Sequence, residues 1–221
     1  MNIEQARFNM IEQQIRTWDV LDQSVLSLLA VVKREDFVPA AHRGMAFMDM
    51  MIPLKDNGSQ GRTMLEPKLE ARLLQELAVG KHEKVLEIGA GSGYMAALLA
   101  HKAQRVLSLE IDPELARTAA DNLKRAAVMN AEVRHADGSK GALAEGPFDV
   151  ILASGSVASV PQQLLDQLKV GGRLAAVVGH DPIMRAVVVT RIDQNAFRTV
   201  EVFDTLAPRL LGFGEPPKFS F

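Results

Sequence analysis

Apolar residues in the first third of the chain recur at helical spacing. Between residues 3 and about 32 they predict two helices, separated near Thr17-Trp18-Asp19. The run FMDMMIPL, residues 47–54, fits a short strand or an extended covering segment, and the turn residues of KDNGSQGRT predict a surface loop. A second stripe, with leucines at 69, 73, 74 and 77, predicts a helix that begins after Pro67 and ends at Gly80.

From residue 84 onward, short apolar runs alternate with helical patterns. The runs KVLEIGAG, RVLSLEID, AEVRHADG, FDVILAS and GGRLAAVVG predict strands, and GYMAALLAHKA, PELARTAADNLKRAAV and VPQQLLDQLKV predict the helices between them. This alternation indicates an α/β fold with right-handed crossovers and a mainly parallel sheet covered on both faces. RAVVVTRID and FRTVEVFDT, separated by QNA, predict an antiparallel pair at one end of the sheet, and the tail GFGEPPKFSF is expected to be loosely ordered.

Composition narrows the class of protein. The 221 residues are 48% hydrophobic and 24% charged, which is typical of one globular domain. A net charge of −2 gives no bulk attraction to nucleic acid or to an anionic membrane. The chain has no cysteine and its five histidines are scattered, so we expect no built-in metal site. No apolar run approaches the roughly 18 residues of a membrane span, so we expect a soluble cytoplasmic protein.

A glycine loop carries the first chemical signal. The segment 85–94 reads VLEIGAGSGY and places Gly89, Gly91 and Gly93 where a buried strand turns into a helix. Glycine permits the tight turn and lets backbone N–H groups approach a ligand. Such a loop alone can be a mere strand-to-helix turn, but Glu110 ends the next strand about 20 residues further on. A carboxylate at that position can accept hydrogen bonds from both hydroxyls of a ribose.

Smaller features distinguish two classes of nucleotide cofactor. A dinucleotide site usually has a third glycine one residue later, beneath a pyrophosphate. Here Glu87 stands inside the strand just before the loop, where it would repel a pyrophosphate but would attract a cationic sulfonium ligand with an amino group. Asp137-Gly138, at the end of the third strand, is suited to an adenine amino group, although HADG is equally a simple turn. These residues favour S-adenosylmethionine over a nicotinamide cofactor.

Longer segments carry a resemblance to a known family. VLEIGAGSGYMAALLA, LEIDPELA, ADGSKG, PFDVILASGSVASVP and LKVGGRLAAVVG together resemble the protein-L-isoaspartate O-methyltransferases, and VLSLLAVVKREDFVPAAHRGMAFMDMMIPL resembles that family's N-terminal cap. The resemblance runs through about residue 180. It implies a Rossmann-like class I methyltransferase with a seven-stranded, mainly parallel sheet, an antiparallel C-terminal strand and a helical cap. Residues 1–60 would then form the cap and loop, 61–180 the cofactor-binding core, and 181–221 the C-terminal strands and tail.

The resemblance also implies a reaction and a set of cofactor contacts. The reaction is methylation of the α-carboxylate of isoaspartyl residues in damaged proteins, and no nucleic-acid or membrane partner is implied. The contacts would come from the glycine loop and the strand ends, namely Glu87, Gly89, Gly91, Gly93, Glu110, Ile111, Asp137, Gly138 and Ser154.

The chain departs from the family pattern at one motif. Members typically carry a Thr-Ile-Ser-Gln-Pro-like stretch, whereas this chain reads TMLEP over residues 63–67, so Leu65 replaces the serine and Glu66 follows it. A leucine cannot donate a hydrogen bond, and an ionised Glu66 would repel a substrate carboxylate. Thr63, Glu66 and Ser154 are therefore the candidates for the catalytic side, with Ser156 as a further hydroxyl and Arg209 as a cation that could meet a carboxylate.

Several readings of the function remain open from the sequence. One is an isoaspartyl methyltransferase whose substrate is held by backbone amides and by Thr63, Ser154 or Ser156. A second is a methyltransferase of the same fold with another acceptor, in which Glu66 attracts an amine or acts as a base. A third is an S-adenosylmethionine-binding protein without turnover, and a nicotinamide enzyme is a distant fourth. Trp18 with Phe8 and the methionines at 45, 48, 50 and 51 are expected to pack the cap against the sheet.

Overall fold

The computed structural model describes residues 2–55 and 62–214. Most of the loop expected between residues 55 and 63, and the part of the expected tail beyond residue 214, lie outside the described residues. The first helical segment begins as α1, Ile3–Asn9, continues as a π-helical stretch, Met10–Ile15, and ends as a 3-10 turn, Arg16–Trp18. Asp19 then takes a left-handed conformation, and α2 follows over Gln23–Val31. The predicted pair of helices is therefore confirmed.

A short two-stranded sheet joins the N-terminal segment to the chain that leads into the next helix. Strand β1, Ile52–Pro53, pairs antiparallel with β2, Thr63–Met64, so the covering run 47–54 does contain a strand. Helix α3 follows over Pro67–Leu77 and buries the predicted leucine stripe. It ends earlier than predicted, because Ala78 adopts a left-handed conformation (φ +44) and donates its N–H to the Gln75 carbonyl.

The central sheet of the described chain has seven strands in the order β5-β4-β3-β6-β7-β8-β9. The strands are β3, Lys84–Ile88; β4, Arg105–Glu110; β5, Ala131–His135; β6, Phe148–Val157; β7, Leu168–His180; β8, Ile183–Arg191; and β9, Phe197–Asp204. The first five pair in parallel, and β8 and β9 pair antiparallel at the end of the sheet. Between them lie α4, Tyr94–Lys102, and α5, Pro113–Arg125. The predicted mainly parallel α/β sheet with an antiparallel end is confirmed.

One helix predicted from the sequence is much shorter in the structure. The run VPQQLLDQLKV, residues 160–170, forms only the four-residue helix α6, Gln162–Leu165. The strand that follows begins at Leu168, well before the predicted GGRLAAVVG, because Leu168 already pairs with Phe148 on β6. Tertiary pairing overrides the local helical pattern here.

The two faces of the sheet are covered unequally. Alternate strand residues such as Val85, Val106 and Val150 pack with the cap helices and α4 in one apolar cluster. The intervening residues, such as Leu86, Leu107 and Ile151, form the second cluster, which includes residues of α6 and is bordered by Leu210 and Phe213. Both faces are buried as expected, but the second face depends on a short helix and on the segment after β9.

The methionines of the cap contradict the packing expectation. Trp18 does pack edge-on against Phe203 of β9, with ring centroids 5.5 Å apart, and Met45 is partly buried against the core. Phe8, however, is 58% exposed, and the exposed fractions of Met48, Met50 and Met51 are 50%, 36% and 37%. They therefore do not fill the space between cap and sheet. None of the helices within residues 2–55 and 62–214 is both long and apolar enough to cross a membrane.

Candidate functional site

A cavity opens where the central parallel strands end. It is lined by Gly89 and Gly91 of the glycine loop, by Glu110 and Ile111 after β4, and by Gly138 after β5, with Thr63, Ser154 and Arg209 on the opposite side. We call it the strand-end cavity. Ligands of open α/β sheets bind at this edge, because the carboxyl ends of the strands and the following helix N-termini meet there. The cavity is narrow, about 50 Å³, and small-molecule sites usually measure about 300–1,000 Å³.

Two leucines set how far the strand-end cavity opens. A Cβ added to Gly89 would meet Leu210 Cδ2 at 2.8 Å, and one added to Gly91 would meet Leu54 Cδ1 at 3.1 Å. Both side chains also line the cavity. Both leucines therefore lie against the glycine loop and narrow the cavity.

The glycine loop and Glu110 are held together by backbone hydrogen bonds. Gly89 has φ +90, a conformation that L side chains rarely adopt, and donates its N–H to the Leu109 carbonyl over 2.8 Å. Glu110 accepts from the Gly91 N–H over 2.8 Å and from the Asp112 N–H over 3.0 Å. These bonds fix the carboxylate at the cavity wall and leave lone pairs on both oxygens for further donors.

Two residues predicted to contact the cofactor, Gly93 and Asp137, do not line the strand-end cavity. Gly93 has a packing role instead. A Cβ added to Gly93 would lie 3.0 Å from the Ala119 carbonyl oxygen, so this glycine permits close packing of α4 on α5. It also does not line the smaller, adjoining cavity. At the end of β5 the residue that lines the cavity is Gly138. A Cβ added to Gly138 would lie 2.4 Å from Ile88 Cγ2, so a larger residue would clash there. The Asp137 carboxylate accepts from the Ser139 N–H over 2.9 Å.

A second, smaller cavity adjoins the first and holds two buried carboxylates. We call it the carboxylate cavity; it is lined by Glu87 and Glu70, and it shares Thr63, Gly89, Gly91 and Ser154 with the strand-end cavity. Glu87 is fully buried and accepts hydrogen bonds from Ser108 Oγ (2.5 Å) and Ser154 Oγ (2.8 Å). Burial raises the pKa of Glu87 to about 7, and these hydroxyls act in the opposite direction.

Glu70 was missed by the sequence reasoning. It lies on the buried side of α3 and pairs with Arg34, which is itself fully buried. Burial raises the pKa of Glu70 to about 7, whereas the Arg34 guanidinium acts to lower it. A signal was present, because Glu70 falls beside Leu69 and one turn before Leu73, on a stripe where an unpaired charge would be costly.

Arg34 also holds the backbone of residues 63–66, the motif that differs from the family pattern. Its guanidinium donates to the Leu65 carbonyl over 2.6 Å and to the Ala46 carbonyl over 3.0 Å, and it lies over the Tyr94 ring. Leu65 itself is only 4% exposed and belongs to the apolar core, although it borders the carboxylate cavity. The backbone of residues 63–66 is therefore positioned by a buried cation, while the side chain at the serine position presents no hydroxyl.

The structure separates the candidates for the catalytic side. Thr63 and Ser154 line both cavities, so both hydroxyls lie at the junction. Glu66 lines neither, and its carboxylate lies 3.2 Å from Lys68 Nζ. Ser156 is fully buried because β6 continues through Val157, and its backbone bonds to Pro208 and Leu210. The expectation that Ser156 contacts a substrate is therefore wrong for this structure.

The sheet order, the glycine loop at the end of β3 and the carboxylate that ends β4 define a class I methyltransferase fold. The sequence profile of the family "Protein-L-isoaspartate(D-aspartate) O-methyltransferase (PCMT)" matches residues 5–206. The chain belongs to this family.

Individual relatives agree with that assignment. The chain is 41% identical to Protein-L-isoaspartate O-methyltransferase 1 of Syntrophobacter fumaroxidans, over 81% of this chain and 82% of the relative. It is 40% identical to the protein-L-isoaspartate O-methyltransferase of Methanoculleus marisnigri, over 78% and 77% of the two chains. Among solved structures, a Plasmodium falciparum protein assigned to these enzymes and crystallised with S-adenosyl-L-homocysteine superimposes with a TM-score of 0.78, over 95% and 98% of the two chains. Its identity is 20%, so this likeness concerns the fold.

Proposed function

We propose that the protein transfers a methyl group from S-adenosylmethionine to the α-carboxylate of isoaspartyl residues in damaged proteins. One observation carries the proposal: a cavity that holds two buried carboxylates joins, at Thr63 and Ser154, a cavity that offers Glu110 and a glycine loop. That combination suits a ligand with a cationic end and a ribose. Relatives named protein-L-isoaspartate O-methyltransferase, at 35–41% identity, favour the isoaspartyl acceptor over the other readings.

The donor set fits this cofactor. Glu87 accepts hydrogen bonds from two hydroxyls, whereas Glu70 already pairs with Arg34. Burial raises the pKa of each, so a ligand ammonium or sulfonium would relieve the cost of ionising Glu87 most. Glu110 and the Gly91 loop would hold the ribose, with Ile111 and Gly138 beside the base. When bound, the cofactor supplies an electrophilic methyl group. Asp137 accepts from the Ser139 N–H through Oδ1, so Oδ2 stays available for the predicted adenine role, and Gly93 acts through packing.

The protein's task in this reaction is alignment. A carboxylate is already a competent nucleophile at neutral pH, so no general base is required. Thr63 lies at the junction of the two cavities, where its hydroxyl could donate to the acceptor carboxylate. Arg209, whose Nη2 donates to the Gly179 carbonyl over 2.8 Å, lines the strand-end cavity and supplies positive charge from the other side.

The Leu65 departure changes how the acceptor is held. With no hydroxyl at position 65, Thr63 and Ser154 are the hydroxyls on the junction, and Ser154 is already committed to Glu87. Glu66 offers no repulsion at the junction, because it lines neither cavity and lies beside Lys68. The acceptor carboxylate is therefore held chiefly by Thr63 and by the charge of Arg209.

The test is methyl transfer to a defined peptide. Tritiated S-adenosylmethionine is incubated with the protein and an isoaspartyl peptide, and with the matched aspartyl peptide as control. We expect volatile methyl release from the isoaspartyl peptide alone, since its α-carboxyl ester collapses to a succinimide. Release equal to the aspartyl blank would contradict the proposal, and calorimetric binding of S-adenosylhomocysteine in that case would indicate a binding protein without turnover.

We also infer that residues 1–60, 61–180 and 181–221 act as cap, cofactor core and C-terminal strands of one methyltransferase domain. A cytoplasmic location and the lack of a nucleic-acid or membrane partner stay predictions from the sequence.

A further inference from the structure

An apolar groove runs along the outside of the methyl-transfer site. It measures about 560 Å³, and its apolar lining comes mainly from Met51, Met184, Leu206, Pro208 and Leu211. We call it the methionine groove. Met51, Leu206 and Leu211 are 37%, 48% and 43% exposed, so the groove is open to solvent, whereas Met184 forms its buried floor. A contiguous exposed apolar surface of this kind usually marks a binding site.

The methionine groove is continuous with the strand-end cavity. Thr63, Arg209 and Leu211 line both of them, and Thr63 also lines the carboxylate cavity. An acceptor carboxylate placed between Thr63 and Arg209 would therefore lie at the inner end of the groove. Successive residues of an extended chain are separated by about 3.3–3.6 Å, so a neighbour one or two positions away would reach the apolar lining.

The lining suits side chains of varied shape. Methionine is unbranched and polarisable, so it adapts to different partners and is common at promiscuous binding surfaces. Met48 and Met50, on the same run of chain as Met51, are also exposed. Damaged residues occur in many sequence contexts, and an adaptable surface beside the reacting carboxylate would accept several of them.

We propose that the methionine groove binds an apolar side chain adjacent to the isoaspartyl residue in an extended segment of the substrate. This inference rests on the proposed function. A second copy of the chain is a less suitable occupant, because a partner seated on Thr63, Arg209 and Leu211 would cover the access to the reaction cavity. The charged residues of the lining are one acid and one base, Asp181 and Arg209, and the rest of the lining is mainly apolar, which suits an uncharged side chain.

The experiment compares two isoaspartyl peptides that differ only in the residues flanking isoaspartate, leucine in one and serine in the other. Burial of one leucine side chain predicts a kcat/KM about tenfold higher for the leucine peptide. The double variant Met51→Ser/Leu206→Ser should bring this ratio close to one, and because both side chains are partly exposed we expect the variant to fold. Met129→Ser is the matched control, since Met129 is 90% exposed and lies outside the groove, and it should keep the ratio.

The outcomes separate this inference from the proposed function. Equal kcat/KM for the two peptides with the unmodified protein would overturn the groove while leaving isoaspartyl methylation intact. If neither peptide is methylated, fluorescence anisotropy with the labelled peptides decides: tighter binding of the leucine peptide that is lost in Met51→Ser/Leu206→Ser supports the groove, and equal binding overturns it. A dimer that dissociates in the double variant would assign the surface to a second copy and would also overturn the inference.

Discussion

The two walls of the reaction cavity are built in different ways. The cofactor wall comes mainly from one stretch of chain, residues 87–138, to which α3 adds Glu70; its key groups are backbone N–H donors, glycines and three carboxylates. The acceptor wall is assembled from segments far apart in the chain, around Arg34, Thr63 to Leu65, Ser154 and Arg209. Side chains, rather than backbone, make its surface.

This difference determines how each wall can change. A backbone site depends on the conformations of a few glycines and tolerates variation elsewhere, whereas a wall of side chains changes its chemistry with each substitution. Leu65 illustrates the second case, because the backbone at this position is still held by Arg34 while the hydroxyl of the family motif is gone. Conservation of cofactor binding and drift in acceptor recognition can therefore occur together.

The largest effect is expected from Gly89→Ala. Alanine resists φ +90 and its Cβ would meet Leu210, so the loop should relax away from its binding conformation. Restoring that conformation on binding would cost about 2–3 kcal/mol, which lowers the affinity for S-adenosylhomocysteine by about 30- to 150-fold. Gly171→Ala is the matched control: Gly171 has φ +84, but no atom lies within 4 Å of an added Cβ. Calorimetry should find its affinity unchanged, and equal losses in both variants would contradict a local role of Gly89.

The second prediction concerns Glu70, the carboxylate contributed by α3. Glu70→Gln should weaken S-adenosylhomocysteine binding by about 20-fold, as expected for loss of a charged hydrogen-bond partner. Binding of 5′-methylthioadenosine, which lacks the amino-acid part, should change little.

Glu35→Gln controls for the loss of a buried ion pair, because Glu35 is buried, pairs with Arg7 and lines neither cavity. It should lower stability as Glu70→Gln does but leave both affinities unaltered. Equal weakening of the two ligands by Glu70→Gln would show that this residue acts through folding alone.

The third prediction is a pH dependence. Burial raises the pKa of Glu87 to about 7, and Glu70 and Glu110 nearby act in the same direction. A cationic ligand favours the ionised carboxylate, so affinity should increase by about tenfold between pH 6 and pH 8 for one such group. In the free protein the folded state binds more protons than the unfolded state between about pH 4.5 and 7, so the free energy of unfolding should decrease across that range. Glu87→Gln should reduce the slope of both profiles, with the remaining slope due to Glu70; unchanged profiles would contradict this assignment.

The smallest effect is expected on the acceptor wall. Leu65→Ser returns a hydroxyl to the family position, and we expect kcat/KM for the isoaspartyl peptide to be about fivefold higher than in Leu65→Ala. Both variants truncate a side chain that is 4% exposed, so both should lose about 2–4 kcal/mol of stability. Comparison of Leu65→Ser with Leu65→Ala separates the effect of the added hydroxyl from the effect of the space left by the truncated side chain. Identical kinetics in the two variants would place the acceptor away from position 65.

The sequence was sufficient where function follows from local geometry. The meeting of Gly89, Gly91 and Glu110 at one cavity could be predicted because a strand, a turn and a helix are contiguous, so their spacing fixes where they meet. It was insufficient for Glu70 and Ser156. The pairing of Glu70 with Arg34 joins residues 36 positions apart, and the burial of Ser156 depends on the chain after β9, which no local pattern reveals.

The segment after β9 has a consequence for how the molecule is made. The Leu210 side chain packs against Gly89 and Gly155, and the Leu210 N–H donates to the Ser156 carbonyl. Residues that follow all nine strands therefore complete the cavity wall beside the glycine loop. During synthesis the glycine loop leaves the ribosome long before its cover. A nascent chain stalled before residue 206 would hold the glycine loop and Glu110 but not the finished cavity wall.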